Sequence, residues 1–243
     1  MARLDDGLSD AQAWALLAEQ TSTRNLLAYG LRALRTAAFL ETTRDPIMTM
    51  LSIGLEKLLK MALGLAHLAE HREWPPVAIF RDHWRHDLDT MLRETLDTLR
   101  AGLDRANHRP YVESLLDAVE RDPVLVPLVA ALSRYGRQGR FYNLDTLAES
   151  PQRGPSPEAM WSSVEQILLA HDEKLRTRLS AVTGRDAEAH EALIHQMEAS
   201  TADSLQRLWD LIAMAGVQGM LGARGRGWGV DIDRDLVGRQ IRA

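Results

Sequence analysis

The segment Arg134-Tyr135-Gly136-Arg137-Gln138-Gly139-Arg140-Phe141-Tyr142 sets three arginines among three aromatic residues. Guanidinium groups grip phosphate oxygens in pairs, and aromatic faces stack on unpaired bases. Arg134, Arg137, Arg140 and Tyr142 are therefore candidate ligands for single-stranded RNA or a nucleotide. The same residues also read as a solvated loop anchored in a core by Phe141 and Tyr142. Glu56 and Lys60 stand four residues apart with the acid first, the favourable order for a pair on one helix face. Such a pair marks either the wet edge of a buried helix, or an inner polar groove or subunit interface. His67 and His71 share a helix face, and His83 and His86 follow in sequence. Four imidazoles can hold zinc in a bundle, but neither spacing is a metal signature, so no metal is assigned. No cofactor is assigned either, and the sequence has no phosphate-cradling glycine loop of the Walker or dinucleotide type and no serine-nucleophile elbow.

The elements that position these residues read as helices almost throughout. The longest strand-like run, Val124-Leu125-Val126, is interrupted by Pro127. Ser9 is a plausible cap for a first helix through Trp14, Leu17, Leu27, Leu31, Leu34 and Ala38. Asp45-Pro46 reads as a cap followed by proline at the first helical position, opening a helix that runs to about His71 and stops before Trp74-Pro75-Pro76. That helix is apolar on nearly every face, which marks it as central. Further helices are expected from near Asp82 through Leu99, from Pro110 to Val119, and from about Pro123 to Tyr135. Residues 136–157, with three glycines and three prolines, read as a linker or long loop. Ser156-Pro157 opens another helix that Thr183-Gly184 breaks, and a last long one starts at Asp186 and passes Trp209 and Met214. The glycine-rich tail from Gly222 to Ala243, including Gly225-Arg226-Gly227, reads as loosely ordered. The fold class is all-α, with a helical bundle over residues 1–150 and a helical extension over 151–243 that packs on it.

Composition sets outer bounds. The chain has 243 residues, 45% hydrophobic and 26% charged, with a formal net charge of −5. This balance suits a globular protein with a sizeable core and argues against coating nucleic acid or membranes through bulk charge. There is no cysteine, which excludes disulfides, thiol catalysis and thiolate metal sites. No secretory signal follows the first residues and no apolar run approaches the about 20 residues that span a bilayer. A cytoplasmic location and no membrane association are expected.

Three short stretches together resemble the HEPN superfamily of helical bundles. They are Ser52-Ile53-Gly54-Leu55-Glu56-Lys57-Leu58-Leu59-Lys60, then His86-Asp87-Leu88 leading into Met91-Leu92, then Ser133-Arg134-Tyr135. The resemblance covers roughly residues 25–145 and implies a four- or five-helix bundle, homodimers, and binding of RNA or nucleotides. One branch consists of metal-independent ribonucleases with an Arg-x(4–6)-His motif, a polar residue following the arginine. Arg81-Asp82-His83-Trp84-Arg85-His86 fits that form, as does Arg185-Asp186-Ala187-Glu188-Ala189-His190. The first lies inside the resembling region, so Arg81 and His86 are the implied catalytic pair.

In that role His86 would take a proton from a ribose 2′-hydroxyl and later return one, while Arg81 would hold the phosphate. At i and i+5 on one continuous helix the side chains lie about 140° apart. The pair therefore converges only if Arg81 precedes a helix capped by Asp82, or if two subunits meet. The expected function is RNA or nucleotide binding, with metal-independent RNA cleavage in stress or phage defence as its catalytic form. The alternative is a non-catalytic helical module that binds a protein partner.

Overall fold

The computed structural model describes residues 7–37, 40–152, 154–182 and 186–237. Helix α1 (Asp10–Thr36) opens with a reciprocal cap: Ser9 Oγ accepts from the Gln12 backbone N–H, and Gln12 Oε1 accepts from the Ser9 N–H. Helix α2 (Leu40–His71) follows after a three-residue link. The two lie antiparallel and close. A side chain on Gly30 would meet Leu51 Cδ2 at 2.7 Å, and one on Gly54 would meet Leu27 Cγ at 2.9 Å. Advancing along α1 thus means retreating along α2, and glycine at both crossings lets the backbones approach.

Asp45-Pro46 does not start α2, as the sequence pattern led us to expect. The helix begins at Leu40 and Pro46 lies inside it. The lost backbone bond is outweighed by burial of Leu40, Ile47, Met48 and Leu51. Asp45 is not a cap; its carboxylate instead accepts the Tyr135 hydroxyl at 2.8 Å. Beyond this point α2 is the central helix expected from its all-round apolarity. It packs against α1, α3 (Leu88–Ala101), α5 (Leu125–Arg137) and α10 (Gly222–Asp231).

The third helix starts later than expected. Residues Ile79–Trp84 form a π-helical turn, and α3 begins at Leu88 behind the cap Asp87, whose Oδ1 accepts from Thr90 N–H at 3.2 Å. Aromatic packing decides this: Trp74 stacks on Phe80, Phe80 meets Trp84 edge-on at 4.9 Å, and Trp84 Nε1 donates to Glu94 at 2.8 Å. Helix α4 (Arg109–Glu120) lies close to its expected span, and residues 136–157 contain a short helix α6 (Tyr142–Leu147).

Helix α7 (Pro157–His171) opens at the Ser156 cap as expected. It ends early, at Asp172, which caps α8 (Glu173–Ala181). Thr183, Gly184 and Arg185 lie outside the described residues. Asp186 caps α9 (Ala187–Val217) through the Ala189 N–H. The tail differs from expectation over 222–237. Helix α10 buries Trp228 and Gly229 and is followed by buried Ile232 and Val237. Gly229 lets α10 pack closely on the α9 backbone and Gly222 lets it approach Ala69 of α2, which a composition-based reading takes for looseness. One contiguous hydrophobic cluster runs from Leu8 to Val237, so the C-terminal helices share a core with the first 150 residues. The described residues are helical without strands, and none of their helices is long and apolar enough to cross a membrane.

Candidate functional site

Three segments far apart in sequence meet around His86. From α2 come Glu56 and Lys60, one turn apart. Lys60 Nζ donates to Glu56 Oε1 at 2.7 Å and to the Arg85 carbonyl at 2.6 Å. The turn 85–87 supplies His86, whose Nδ1 lies 3.0 and 3.1 Å from the two Glu56 oxygens. The Glu56 and Lys60 side chains are only 20% and 18% exposed, so the pair faces this turn rather than open solvent. The His86 side chain is 60% exposed, and Nε2 has no partner among the described residues.

The backbone here is strained. Arg85 adopts φ +47°, ψ −118°, a sparsely populated conformation that costs about 1–3 kcal/mol. The Lys60 ammonium on its carbonyl helps hold it in place. Strain of this kind collects where a side chain must be aimed.

From α5 come Ser133 and Arg137. Ser133 is buried and its Oγ accepts the Leu88 N–H at 3.3 Å, tying down the start of α3. Arg137 lies 3.6 Å from Asp87 and 4.0 Å from Asp89. Tyr135, on the opposite side of α5, shares its hydroxyl with Thr49 at 2.7 Å and Asp45, and burial pushes its ionisation up to about 12. It is a neutral structural anchor that fixes the rotation of α5 against α2.

Arg81 is not part of this arrangement. It sits inside the π-helical turn, 73% exposed, with Nε on Asp82 at 3.2 Å. Asp82 caps no helix, so the expected seat of Arg81 before a helix N-terminus is absent. The aromatic packing of the turn moved the helix start to Asp87. Among the described residues no contact joins Arg81 to His86. The competing match cannot be compared as a pair, because Arg185 lies outside the described residues.

The arginine-aromatic segment is divided. Arg137 reaches the His86 turn. Arg134 donates to the Pro155 carbonyl at 3.4 Å and to Gln138, and Arg140 donates to the Gly136 carbonyl at 3.2 Å while lying over the Phe141 ring. Tyr142 is half-buried and Phe141 is exposed, so Phe141 does not anchor the loop. The four histidines do not gather. The His67 and His71 rings lie tilted 4.2 Å apart, His83 pairs with Glu94 and His86 with Glu56. Among the described residues no three His, Cys, Asp or Glu are placed to hold a metal.

Glu56, Asp87 and Ser133 were not assigned to a site by spacing alone. The Glu56–Lys60 pair was visible in the sequence, but its approach to a histidine 30 residues away was not. Chemically the arrangement offers an oriented imidazole with one free nitrogen, a carboxylate behind it and an arginine on the neighbouring Asp87. Comparison of the chain with family models, curated proteins and solved structures finds no match.

Proposed function

We propose that this chain is a HEPN-like protein that binds RNA beside the Glu56–His86 couple and cleaves it without a metal ion. The observation that carries this reading is the His86 imidazole held by Nδ1 against a largely buried carboxylate, with Nε2 left to solvent. With the Nδ1 proton donated to Glu56, Nε2 is the basic nitrogen. It would take the proton of a ribose 2′-hydroxyl. The 2′-oxygen would then attack the neighbouring phosphorus, and the 5′-oxygen would leave and receive a proton from the imidazolium. Glu56 steadies the positive ring that forms between the two transfers.

Arg137, which reaches Asp87 beside this histidine, takes the phosphate-holding role in place of Arg81, released from Asp87 to a phosphate when substrate arrives. All three segments that carry the resemblance supply residues to this neighbourhood, which is the support for the HEPN reading. That reading also brings an expected homodimer and a defence role.

Incubation of the purified chain with RNA in EDTA tests the proposal. Cleavage yielding 2′,3′-cyclic phosphate ends should fall by about 100-fold or more in His86→Ala and by a smaller factor in Glu56→Gln, with Arg137→Ala weaker and Arg81→Ala near wild type. Absence of metal-free cleavage across several RNAs would refute catalysis. It would leave the protein-binding module, for which exposed Trp14 and Leu17 on α1 provide an apolar surface.

A further inference from the structure

A cavity of about 300 Å³ opens between the start of α1, the middle of α2 and the Trp74–Phe80 segment, with apolar walls from Leu8, Leu16, Met61, Trp74 and Phe80. The walls are preformed. Trp74 is seated over Gly64, where a side chain would meet its ring at 2.5 Å, and stacks on Phe80. The volume is roughly twice that of an apolar cavity that takes up benzene, which suits two fused rings. Aromatic faces and the Met61 thioether favour a flat ring over an alkyl chain. The rim selects against ions of either sign. Glu19, Lys57 and Lys60 line it, and each ammonium is already paired with a carboxylate at 2.7 Å, Lys57 with Glu19 and Lys60 with Glu56. An added anion would meet two carboxylates and an added cation two ammonium groups, each losing its hydration without a free partner, so the fitting occupant is neutral.

Two residues of this lining also hold the turn that aims His86. The Arg85 N–H donates to the Phe80 carbonyl at 3.0 Å, and the Arg85 carbonyl accepts from Lys60 Nζ at 2.6 Å. Both backbone groups of the strained residue before His86 are therefore tied to the cavity. The half-buried Phe80 ring carries a second link, meeting Trp84 of the same turn edge-on at 4.9 Å. A molecule packed on the Phe80 ring and the Lys60 stem restrains both anchors. It binds more tightly when the turn is seated than when it opens, and that differential affinity is what an effector requires.

We infer that this cavity is an effector site for a neutral aromatic molecule of two fused rings, whose binding braces the Arg85–His86 turn; its consequence for RNA chemistry rests on the function proposed above. Calorimetric titration of the full chain with indole tests the site, and amide hydrogen exchange followed by NMR tests the coupling. Neither measurement uses RNA, so a failure here and a failure of the ribonuclease reading are separate results. One indole should bind per chain, with indole-3-carboxylate and tryptamine at least about tenfold weaker. At an indole concentration ten times its Kd, exchange of the Arg85 amide should slow about tenfold. Amides of α8, which contributes nothing to the lining, should exchange as before. Ala15 is an exposed rim residue, so Ala15→Phe should fill the mouth and weaken indole at least about tenfold, with circular dichroism confirming the fold.

No saturable heat, equal affinity for either charged analogue, equal affinity in folded Ala15→Phe, or an unchanged Arg85 exchange rate would each overturn the proposal. Trp14, beside the rim on α1, is 73% exposed. Self-association that Trp14→Ala abolishes, without indole binding, would make the Trp14 ring of a second copy the occupant and overturn it as well.

Discussion

Gly229 sits where α10 crosses α9, and replacing it with alanine tests whether the glycine-rich C-terminal stretch is part of the packed structure. An added Cβ would lie 2.5 Å from the Ala213 carbonyl oxygen, 2.6 Å from the Val217 nitrogen and 2.9 Å from the Gly216 carbonyl carbon. All three are backbone atoms of α9, so no side-chain rotation relieves the contact. Reaching an ordinary separation requires α10 to move away by most of an ångström. That shift loosens Trp228 and Ile232, which are 2% and 0% exposed, and stretches the 3.0 Å bond from Trp209 Nε1 to the Ile232 carbonyl. Overpacking of this kind costs about 1–3 kcal/mol and the hydrogen bond about 1 more. For a chain of this size the thermal midpoint should fall by about 4–16 °C.

Gly227 is the internal control. It lies in the same helix with nothing within 4 Å of an added Cβ, so Gly227→Ala should stabilise by about 0.5–1 kcal/mol through helix propensity alone. Thermal unfolding followed by circular dichroism reads both variants. If Gly229→Ala is as stabilising as Gly227→Ala, α10 does not pack on α9 and the account of the C-terminal region fails.

Two further expectations concern titration and capping. Burial is the largest cause raising the Glu198 carboxyl above its ordinary range, Glu165 and Glu41 add to it, and His195 at 3.1 Å opposes it. A raised acid binds more protons folded than unfolded, so this group lowers stability as pH rises from about 4.5 through its folded value and levels off above that. Glu198→Gln should therefore melt higher than wild type at pH 8, with the difference shrinking as pH falls toward the ordinary glutamate range; a lower midpoint at pH 8 would contradict the assignment. Asp87→Ala should cost about 1 kcal/mol by removing the α3 cap, whereas Asp87→Asn, which keeps a capping oxygen, should melt near wild type; equal losses would show that the ion pair with Arg137, not the cap, holds the turn.

The sequence by itself determined what is local. Helical periodicity, the Ser9, Ser156 and Asp186 caps and the all-round apolarity of residues 47–65 were legible because each depends on neighbours within one or two turns. The Glu56–Lys60 pair was legible for the same reason. Tertiary structure decided what depends on distant partners. The Trp74–Phe80–Trp84 packing overrode Asp82 as a helix start and left Arg81 in solvent. Burial against α1 carried α2 through Pro46. The face of α9 turned a glycine-rich tail into a packed helix. The Glu56–His86 contact belongs to this second class, since two residues 30 positions apart meet only when α2, the strained Arg85 turn and α5 are assembled. No spacing rule along the chain encodes that meeting, because side-chain chemistry repeats locally while convergence is set by the packing of whole helices.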